Sequence, residues 1–342
     1  MTKMTKGQKV TLVFGTIGAL LLIIAMIVTT IWLWVPMAKY PKYSNLDYEL
    51  VEVYNGTEFF ENFHFSGEVS GDNDQESLLR YKAGQWNAAG RASVLVSSYS
   101  KFQRGLFVFN ILHTPHGCGV WAQLRLQDVD RFPDHGEITV MDSVHNGTTG
   151  NIMGMFVHAT HCDMDPPNVY RRGTGHVDGP TSTCSQRLHG RKGCRFIGRN
   201  DTFGPQFNAE RHHGGGHGSA SATVTGASGG ENSSARGGGG AVAVEWRQEG
   251  IRHPVADFPH THCTITEPNL KDLKVVININ MCGLRPEHSW SDSGCCPGPG
   301  CSKDDETCRR FVASHPEAME NAYWEFESIK IFDEAPPLKD EV

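Results

Sequence analysis

A long uncharged stretch near the N-terminus limits the structures that this chain can form. The 26 residues 10–35 carry no charged side chain and run into the sequence WVPM. A helix of this length rises about 39 Å, which is enough to cross a bilayer with some tilt. A cleaved signal peptide is the alternative, but its apolar core is shorter and ends in small residues. We predict a transmembrane helix over 10–35, between a cytosolic tail, 1–9, and a stalk, 36–46.

Several features place the rest of the chain on the secretory side of the membrane. Three lysines precede the apolar segment and two follow it in the stalk, a weak bias toward a cytosolic N-terminus. All ten cysteines lie beyond residue 35, and disulfides belong to oxidising compartments. Four N-glycosylation sequons lie there too, at Asn55, Asn146, Asn200 and Asn232. We therefore predict a single-pass type II membrane protein of the secretory pathway or plasma membrane, glycosylated at these sites.

The charge balance bears on the choice of partner. The chain has 31 basic and 38 acidic side chains, which gives a formal net charge of −7. A nucleic-acid backbone is bound by a surplus of lysine and arginine, which is lacking here. The charge balance therefore argues against a nucleic-acid partner.

Beyond the stalk, the pattern of apolar residues is that of an all-β protein. In residues 274–280 (KVVININ), apolar side chains recur at every second position, as on one face of a strand. Many short runs of this kind, separated by Gly, Pro and Asn, indicate a β-sandwich. One helix is predicted at 304–314, with Cys308, Phe311 and Val312 on its inner face. Strands are predicted at 49–54, 91–98, 105–113, 120–126, 137–144, 154–160, 241–246, 274–280 and 325–332.

Residues 209–240 have the composition of a glycine-rich loop insertion. Nothing fixes a metal geometry around the three histidines in 211–218. The HTHC run at 260–263 fits a strand edge with a disulfide cysteine better than a zinc site, because secretory cysteines tend to oxidise, so we predict no metal and no other cofactor. Disulfide pairing among ten cysteines cannot be determined from the sequence. Because Cys295 and Cys296 are adjacent, we expect them to bridge to different partners.

Motifs spread along the chain resemble one enzyme family. Residues 117–121 (GCGVW) and 132–138 (FPDHGEI) resemble the GCG-x-W and W-P-x-x-G-E-I segments of the fungal laminarinase-like endo-1,3(4)-β-glucanase branch of glycoside hydrolase family 16. The resemblance covers 47–332, with a C-terminal tail at 333–342. It implies a curved, concanavalin A-like jelly-roll sandwich with a glucan-binding cleft on its concave face. Similar segments also occur at 48–54, 59–63, 90–94, 105–108, 238–246, 293–295, 311–312, 316–318 and 322–325.

The resemblance also implies a reaction. Members of this branch hydrolyse β-1,3 or mixed β-1,3/1,4 glucans with retention, which needs a nucleophile and an acid/base carboxyl about 5–5.5 Å apart. Their E-x-D-x-x-E strand is represented here by Glu137, Thr139 and Asp142. Glu137 matches the nucleophile, Thr139 replaces an assisting Asp, and Asp142 replaces the acid/base Glu. Because side chains alternate along a strand, the third position needs a β-bulge to reach the face of the first two.

These positions depart from the family pattern in ways that affect the chemistry. Thr139 lacks the negative charge that helps to set the protonation of the pair. Asp142 is one methylene shorter than Glu, and a displacement of about 1 Å can cost about a hundredfold in rate. A position that holds a sugar-stacking Trp in the family holds Arg125, and the family's C-G-D-W is CGLR at 282–285.

Three further residues keep positions that the resemblance assigns to substrate binding: Trp121, His158 and Trp290. Trp121 is equally compatible with the core, and His158 with an ordinary strand position. The predicted function is action on cell-wall β-1,3(4)-glucan with weak or lost hydrolysis. The alternative is a non-catalytic glucan-binding or cell-wall scaffold protein. Transglycosylation needs the same two carboxyl groups, and the sequence does not indicate an oligomeric state.

Overall fold

The computed structural model divides the chain into two compact units, residues 1–46 and 47–342. In the first unit, residues 18 and 20–26 are helical. No helix within the described residues is both long and apolar enough to span a bilayer. The rest of the predicted transmembrane segment and the predicted stalk lie outside the described residues. The structure describes residues 18, 20–26, 48–66, 81–82, 85–86, 94–158, 162, 176–177, 184–185, 193–209, 239–247, 250–252, 257–259, 269–283, 286, 289–295 and 305–334.

The second unit is built mainly of short strands, with two helices and several 3₁₀ turns in its described part. The strands are β1 (Tyr48–Asn55), β2 (Phe63–Ser66), β3 (Tyr81–Lys82), β4 (Gln85–Trp86), β5 (Val94–Ser98), β6 (Gly105–His113), β7 (Val120–Gln127), β8 (Glu137–Val144), β9 (Ile152–Phe156), β10 (His176–Val177), β11 (Cys194–Ile197), β12 (Gly240–Arg247), β13 (Gly250–Arg252), β14 (Asp257–Pro259), β15 (Lys274–Met281) and β16 (Glu325–Glu334). The helices are α1 (Gly204–Ala209) and α2 (Asp305–Ser314), and the 3₁₀ turns are Gly56–Asn62, Asn200–Thr202, Trp290–Asp292 and Pro316–Met319.

The strands form two large antiparallel sheets. A six-stranded sheet has the order β1-β16-β6-β12-β13-β14, and an eight-stranded sheet has the order β10-β11-β9-β8-β7-β15-β5-β2. Strands β3 and β4 pair as a separate hairpin. Apolar side chains of β6, β12 and β16 in the first sheet share one core with those of β7, β8 and β15 in the second. The two sheets therefore face each other, and the predicted all-β sandwich is confirmed.

Strand β6 shows how the sequence produces this arrangement. Phe107, Phe109 and Ile111 are buried in the core, whereas Leu106 and Val108 on the other face are partly exposed. This alternation is the period of two that a half-buried strand requires. Full burial of side chains of this size contributes about 1.5–3 kcal/mol each.

Most of the strand and helix predictions are confirmed. The strands predicted at 105–113 and 137–144 match β6 and β8 at both ends, and the helix predicted at 304–314 is α2, with Cys308 and Val312 buried. The strand predicted at 154–160 is wrong in its bounds, because it begins at Ile152 and ends at Phe156. It ends there because Val157 forms an isolated parallel bridge with Ser185 instead of continuing the antiparallel ladder.

Disulfides join distant parts of this unit. Cys295 is bonded to Cys118, a pairing that the sequence did not reveal, and Cys296 lies outside the described residues. The other described bonds are Cys184–Cys194 and Cys282–Cys308.

The predicted glycosylation sites differ in exposure. Asn55 and Asn200 are exposed and Asn146 is partly exposed, whereas Asn232 lies outside the described residues. Glycosylation at these sites stays a prediction.

Candidate active site

Strand β8 contains an irregularity that decides which of its side chains lie together. Along β7, Leu124 pairs with Met141, but its neighbour Arg125 pairs with Thr139. Val140 therefore has no opposite residue on β7, which is the arrangement of a β-bulge. The extra residue resets the alternation of side chains along the rest of the strand.

The bulge brings three predicted catalytic positions to one face. Val140 and Met141 are adjacent, yet both are completely buried in the core between the sheets. As a result, Asp142 lies on the same side of β8 as Glu137 and Thr139, opposite the core. We call the side of β7, β8 and β15 that faces away from the core the polar face. The arrangement is the one that the E-x-D-x-x-E resemblance requires.

Polar side chains surround the carboxylate of Glu137. Thr139 donates its hydroxyl hydrogen to Oε1 at 2.7 Å, and the Gln127 amide donates to Oε2 at 2.7 Å. Nη1 of Arg125 lies 3.6 Å from the same Oε2. All four side chains are buried. Both oxygens of Glu137 are thus held by donors, and Thr139 contacts the nucleophile position as a neutral donor where the family has a second carboxyl group.

Asp142 is fixed through its side chain and its backbone. The indole N–H of Trp121 donates to Oδ1 of Asp142 at 3.0 Å. The backbone N–H of Asp142 donates to Oδ1 of Asn151 at 3.0 Å, while Nδ2 of Asn151 donates to the carbonyl oxygen of Val140 at 3.1 Å. Asn151 therefore holds both sides of the bulge with one amide. No motif in the sequence marked this residue.

More amide side chains lie on the polar face. Cross-strand pairing aligns Asp142 with Gln123 and Gln123 with Asn278, and it aligns Trp121 with Asn280. Nδ2 of Asn278 donates to Oε1 of Gln123 at 3.3 Å. The sequence analysis did not assign these amides to the site, although the alternation of polar residues along β7 and β15 was a signal that could have found them.

The predicted substrate-binding residues Trp121 and His158 lie in different surroundings. Trp121 is on the polar face beside Asp142 and is buried there, with 7% of its surface exposed, so that the register places it at the site. His158 lies just beyond β9, with its Nδ1 2.8 Å from Oδ1 of Asp134, and is partly exposed. Its described contact is therefore with the loop between β7 and β8.

The third predicted substrate-binding residue, Trp290, is placed differently. It is completely buried, with ring centroids 5.5 Å from those of His145 and Phe311. A sugar stacks on an exposed aromatic face, and Trp290 presents none because α2 and the end of β8 cover it. In this structure Trp290 packs the core, and we do not include it in the site.

A buried histidine lies directly beyond β8. Nδ1 of His145 accepts the backbone N–H of Gly119 at 3.1 Å, so the proton of the neutral ring is on Nε2, which lies 3.0 Å from the carbonyl oxygen of Pro286. Burial lowers the pKa of His145 to about 4, because a charged imidazolium would lose its hydration there. His145 therefore connects the loop before β7 to the segment after β15 as a neutral group.

One described group of side chains has the composition of a metal site. Ligating atoms of Asp128, His135 and Asp272 lie within 4.8 Å of one another. Asp128, however, already accepts from the Asp130 backbone N–H at 3.1 Å and lies 2.7 Å from Nδ1 of His135, and Asp272 accepts from Gln103. These hydrogen bonds account for the cluster, and we assign no metal to it.

Comparison with known proteins identifies the family of this chain. Residues 65–332 match the model of the XgeA-like, catalytic GH16 domain. A probable glycosidase of Schizosaccharomyces pombe is 24% identical over 86% of this chain and 71% of its own length. The endo-1,3(4)-β-glucanase xgeA of Emericella nidulans is 25% identical over 71% of this chain, which spans only 37% of that enzyme.

Solved structures share the fold. Laminarinase 16A of Phanerochaete chrysosporium, solved with β-glucans in its donor and acceptor sites, superposes with a TM-score of 0.62 at 21% identity, covering 84% of this chain and 99% of that one. An elongating family 16 β-1,3-glucosyltransferase superposes with the same TM-score, 0.62, over 84% of this chain and 100% of its own. The jelly-roll form of the sandwich is thus confirmed. Because the family model matches most of its length, the chain belongs to glycoside hydrolase family 16.

Proposed function

We propose that this chain is a membrane-anchored family 16 protein that acts on cell-wall β-1,3(4)-glucan by the retaining mechanism, at a rate reduced by its altered motif. The observation that carries the proposal is the bulge at Val140, which sets Glu137, Thr139 and Asp142 on one face of β8. The glucanase names of its relatives support the substrate class. The anchor is proposed from the sequence of residues 10–35 alone.

In the proposed reaction, the two carboxyl groups work in sequence. An oxygen of Glu137 bonds to the anomeric carbon while the Asp142 carboxylic acid gives its proton to the departing sugar oxygen. Asp142 then takes a proton from water, whose oxygen displaces Glu137 from the anomeric carbon and restores the starting configuration. The protein orients both groups, since Gln127 and Thr139 hold Glu137 and Trp121 holds Asp142.

The same residues explain why we propose a slow reaction. Asp142 reaches about 1 Å less far than the family's Glu, and a displacement of this size can cost about a hundredfold. Thr139 donates a hydrogen bond to Glu137 but carries no negative charge, unlike the Asp that the family has at this position. Arg125 replaces an aromatic platform, and sugars gain much of their affinity by stacking on such platforms.

A second candidate function follows from those replacements. A domain whose acid/base side chain is too short, and whose cleft has fewer aromatic side chains, can still bind glucan through amide side chains. The polar face offers such groups in Gln123, Asn278 and Asn280. On this reading the protein is a non-catalytic glucan-binding or cell-wall scaffold protein.

An assay of reducing-end release distinguishes the hydrolase from the non-catalytic glucan-binding protein. The purified full-length protein is tested on laminarin and on mixed-linkage glucan. We expect slow release that Glu137→Gln abolishes and the double variant Thr139→Asp/Asp142→Glu increases. Release that survives Glu137→Gln would refute the assigned nucleophile. Glucan affinity without release, in the natural chain and in the double variant, would favour the binding protein. Carbonate-resistant sedimentation with membranes, lost when 10–35 is deleted, tests the anchor.

A further inference from the structure

Arg125 occupies a position from which it acts on Glu137 more directly than on a sugar. It lies on β7 directly opposite Thr139, where the family resemblance places a sugar-stacking Trp. Its Nη1 is 3.6 Å from Oε2 of Glu137, and the two side chains are only 9% and 6% exposed. A cation has thus replaced an aromatic ring beside the nucleophile.

Burial strengthens the electrostatic interaction between Arg125 and Glu137. Opposite charges at this separation interact weakly in water but much more strongly where the effective dielectric constant is low. An opposite charge within about 4–6 Å favours the ionised form of a carboxyl group. The hydrogen bonds from Gln127 and Thr139 to the same carboxylate act in the same direction, because both donate to its oxygens.

We propose that Arg125 is a positioning residue for Glu137, whose positive charge holds the Glu137 carboxylate ionised in one orientation together with Gln127 and Thr139. The inference rests on the proposed function, in which Glu137 is the nucleophile. In the family, a second carboxyl group on the strand that corresponds to β8 helps to set the protonation of the catalytic pair. Here Arg125, a cation on β7, takes over part of that role.

Arg125 acts in opposite directions on the two steps of the proposed reaction. When Glu137 bonds to the anomeric carbon its negative charge is lost, and the attraction of Arg125 is lost with it. When water later displaces Glu137, the electron pair of the breaking ester bond returns to the carboxylate and the attraction is regained. Arg125 therefore slows formation of the glycosyl-enzyme and speeds its breakdown, so that less of the intermediate accumulates.

The first test needs no substrate. In full-length protein labelled with ¹³C at glutamate side chains, the Glu137 resonance is identified by its absence in Glu137→Gln and followed against pH. We expect Arg125→Met to raise the midpoint of this titration by about 1–3 pH units. Arg125→Lys, which keeps the charge, restores most of the difference, and Arg104→Met, at an exposed arginine outside the site, changes nothing. Arg125→Gln is neutral but polar, and it replaces Arg125→Met if that variant does not fold.

The proposal is overturned if the midpoint of the Glu137 titration is the same in the folded neutral variant of Arg125 as in the natural chain. A second measurement follows the reaction itself. It records the burst of aryl alcohol that is released from an activated aryl laminaribioside. We expect a larger burst in the neutral variant than in the natural chain, because more of the glycosyl-enzyme accumulates there, and equal bursts in the two would contradict the assigned step. If the natural chain hydrolyses nothing while the midpoint still moves, the proposed function fails and the action of Arg125 on Glu137 stands.

Discussion

Lowering the pH from 7 to 4 should destabilise the protein through His145, which is buried directly beyond β8 and binds a proton more readily in the unfolded chain than in the folded protein. In the folded protein its Nδ1 accepts the Gly119 N–H, and a proton on Nδ1 would set two N–H groups against each other. The imidazolium would also lose its hydration, because the ring is buried. The unfolded chain suffers neither penalty.

The size and sign of the effect follow from the two pKa values. Burial lowers the pKa of folded His145 from 6.5 to about 4, while in the unfolded chain it stays near 6.5. Between these values the unfolded state binds more protons, so the free energy of unfolding rises with pH. The contribution is complete above pH 6.5 and is lost as the pH falls toward 4. A difference of about 2.5 in pKa corresponds to about 3 kcal/mol.

Denaturant unfolding at pH 7, 6, 5 and 4, followed by tryptophan fluorescence, measures this term against His145→Asn. Asparagine tolerates the positive φ of 55° at this position, and its side-chain oxygen can accept the Gly119 N–H in place of Nδ1. Other titrating groups affect both proteins alike. We expect the stability advantage of the natural chain to shrink by about 3 kcal/mol between pH 7 and pH 4. Parallel pH dependences in the two proteins would refute this reasoning.

Two further predictions concern the hydrogen bonds at the bulge and the packing at a glycine. Asn151→Ala removes the hydrogen bonds to both sides of the bulge. We expect this variant to have a free energy of unfolding that is lower by about 2–4 kcal/mol and to hydrolyse glucan more slowly. An unchanged thermal midpoint would contradict this prediction. Gly119→Ala should cost about 2–4 kcal/mol, because φ is +88° and a Cβ there would lie 2.5 Å from Cγ2 of Val312. Gly294→Ala, at φ +73° with no atom within 4 Å, should cost only about 1–2 kcal/mol, and equal losses in the two variants would show that packing is not the cause.

Local patterns in the sequence were enough for the elements that bury one face. The period of two in 274–280 predicted β15, and the spacing of Cys308 and Val312 predicted α2. Counting along the E-x-T-x-x-D motif also showed that a bulge was needed, because five steps along a regular strand would turn Asp142 away from Glu137. These features depend on neighbouring residues, whose side chains determine the local backbone.

What the sequence could not supply was which strands pair and in what register. The bulge lies at Val140 because β7 pairs with both ends of β8, and this register brings Gln127 and Arg125 onto Glu137. The sequence also did not distinguish the two tryptophans that were predicted to bind substrate. In the structure Trp121 lies on the polar face, whereas Trp290 is completely buried in the core. Local sequence patterns are enough to predict the strands and the chemical groups that they carry. Which of these groups meet depends on the assembled sheet, because the contacts join strands that are far apart along the chain.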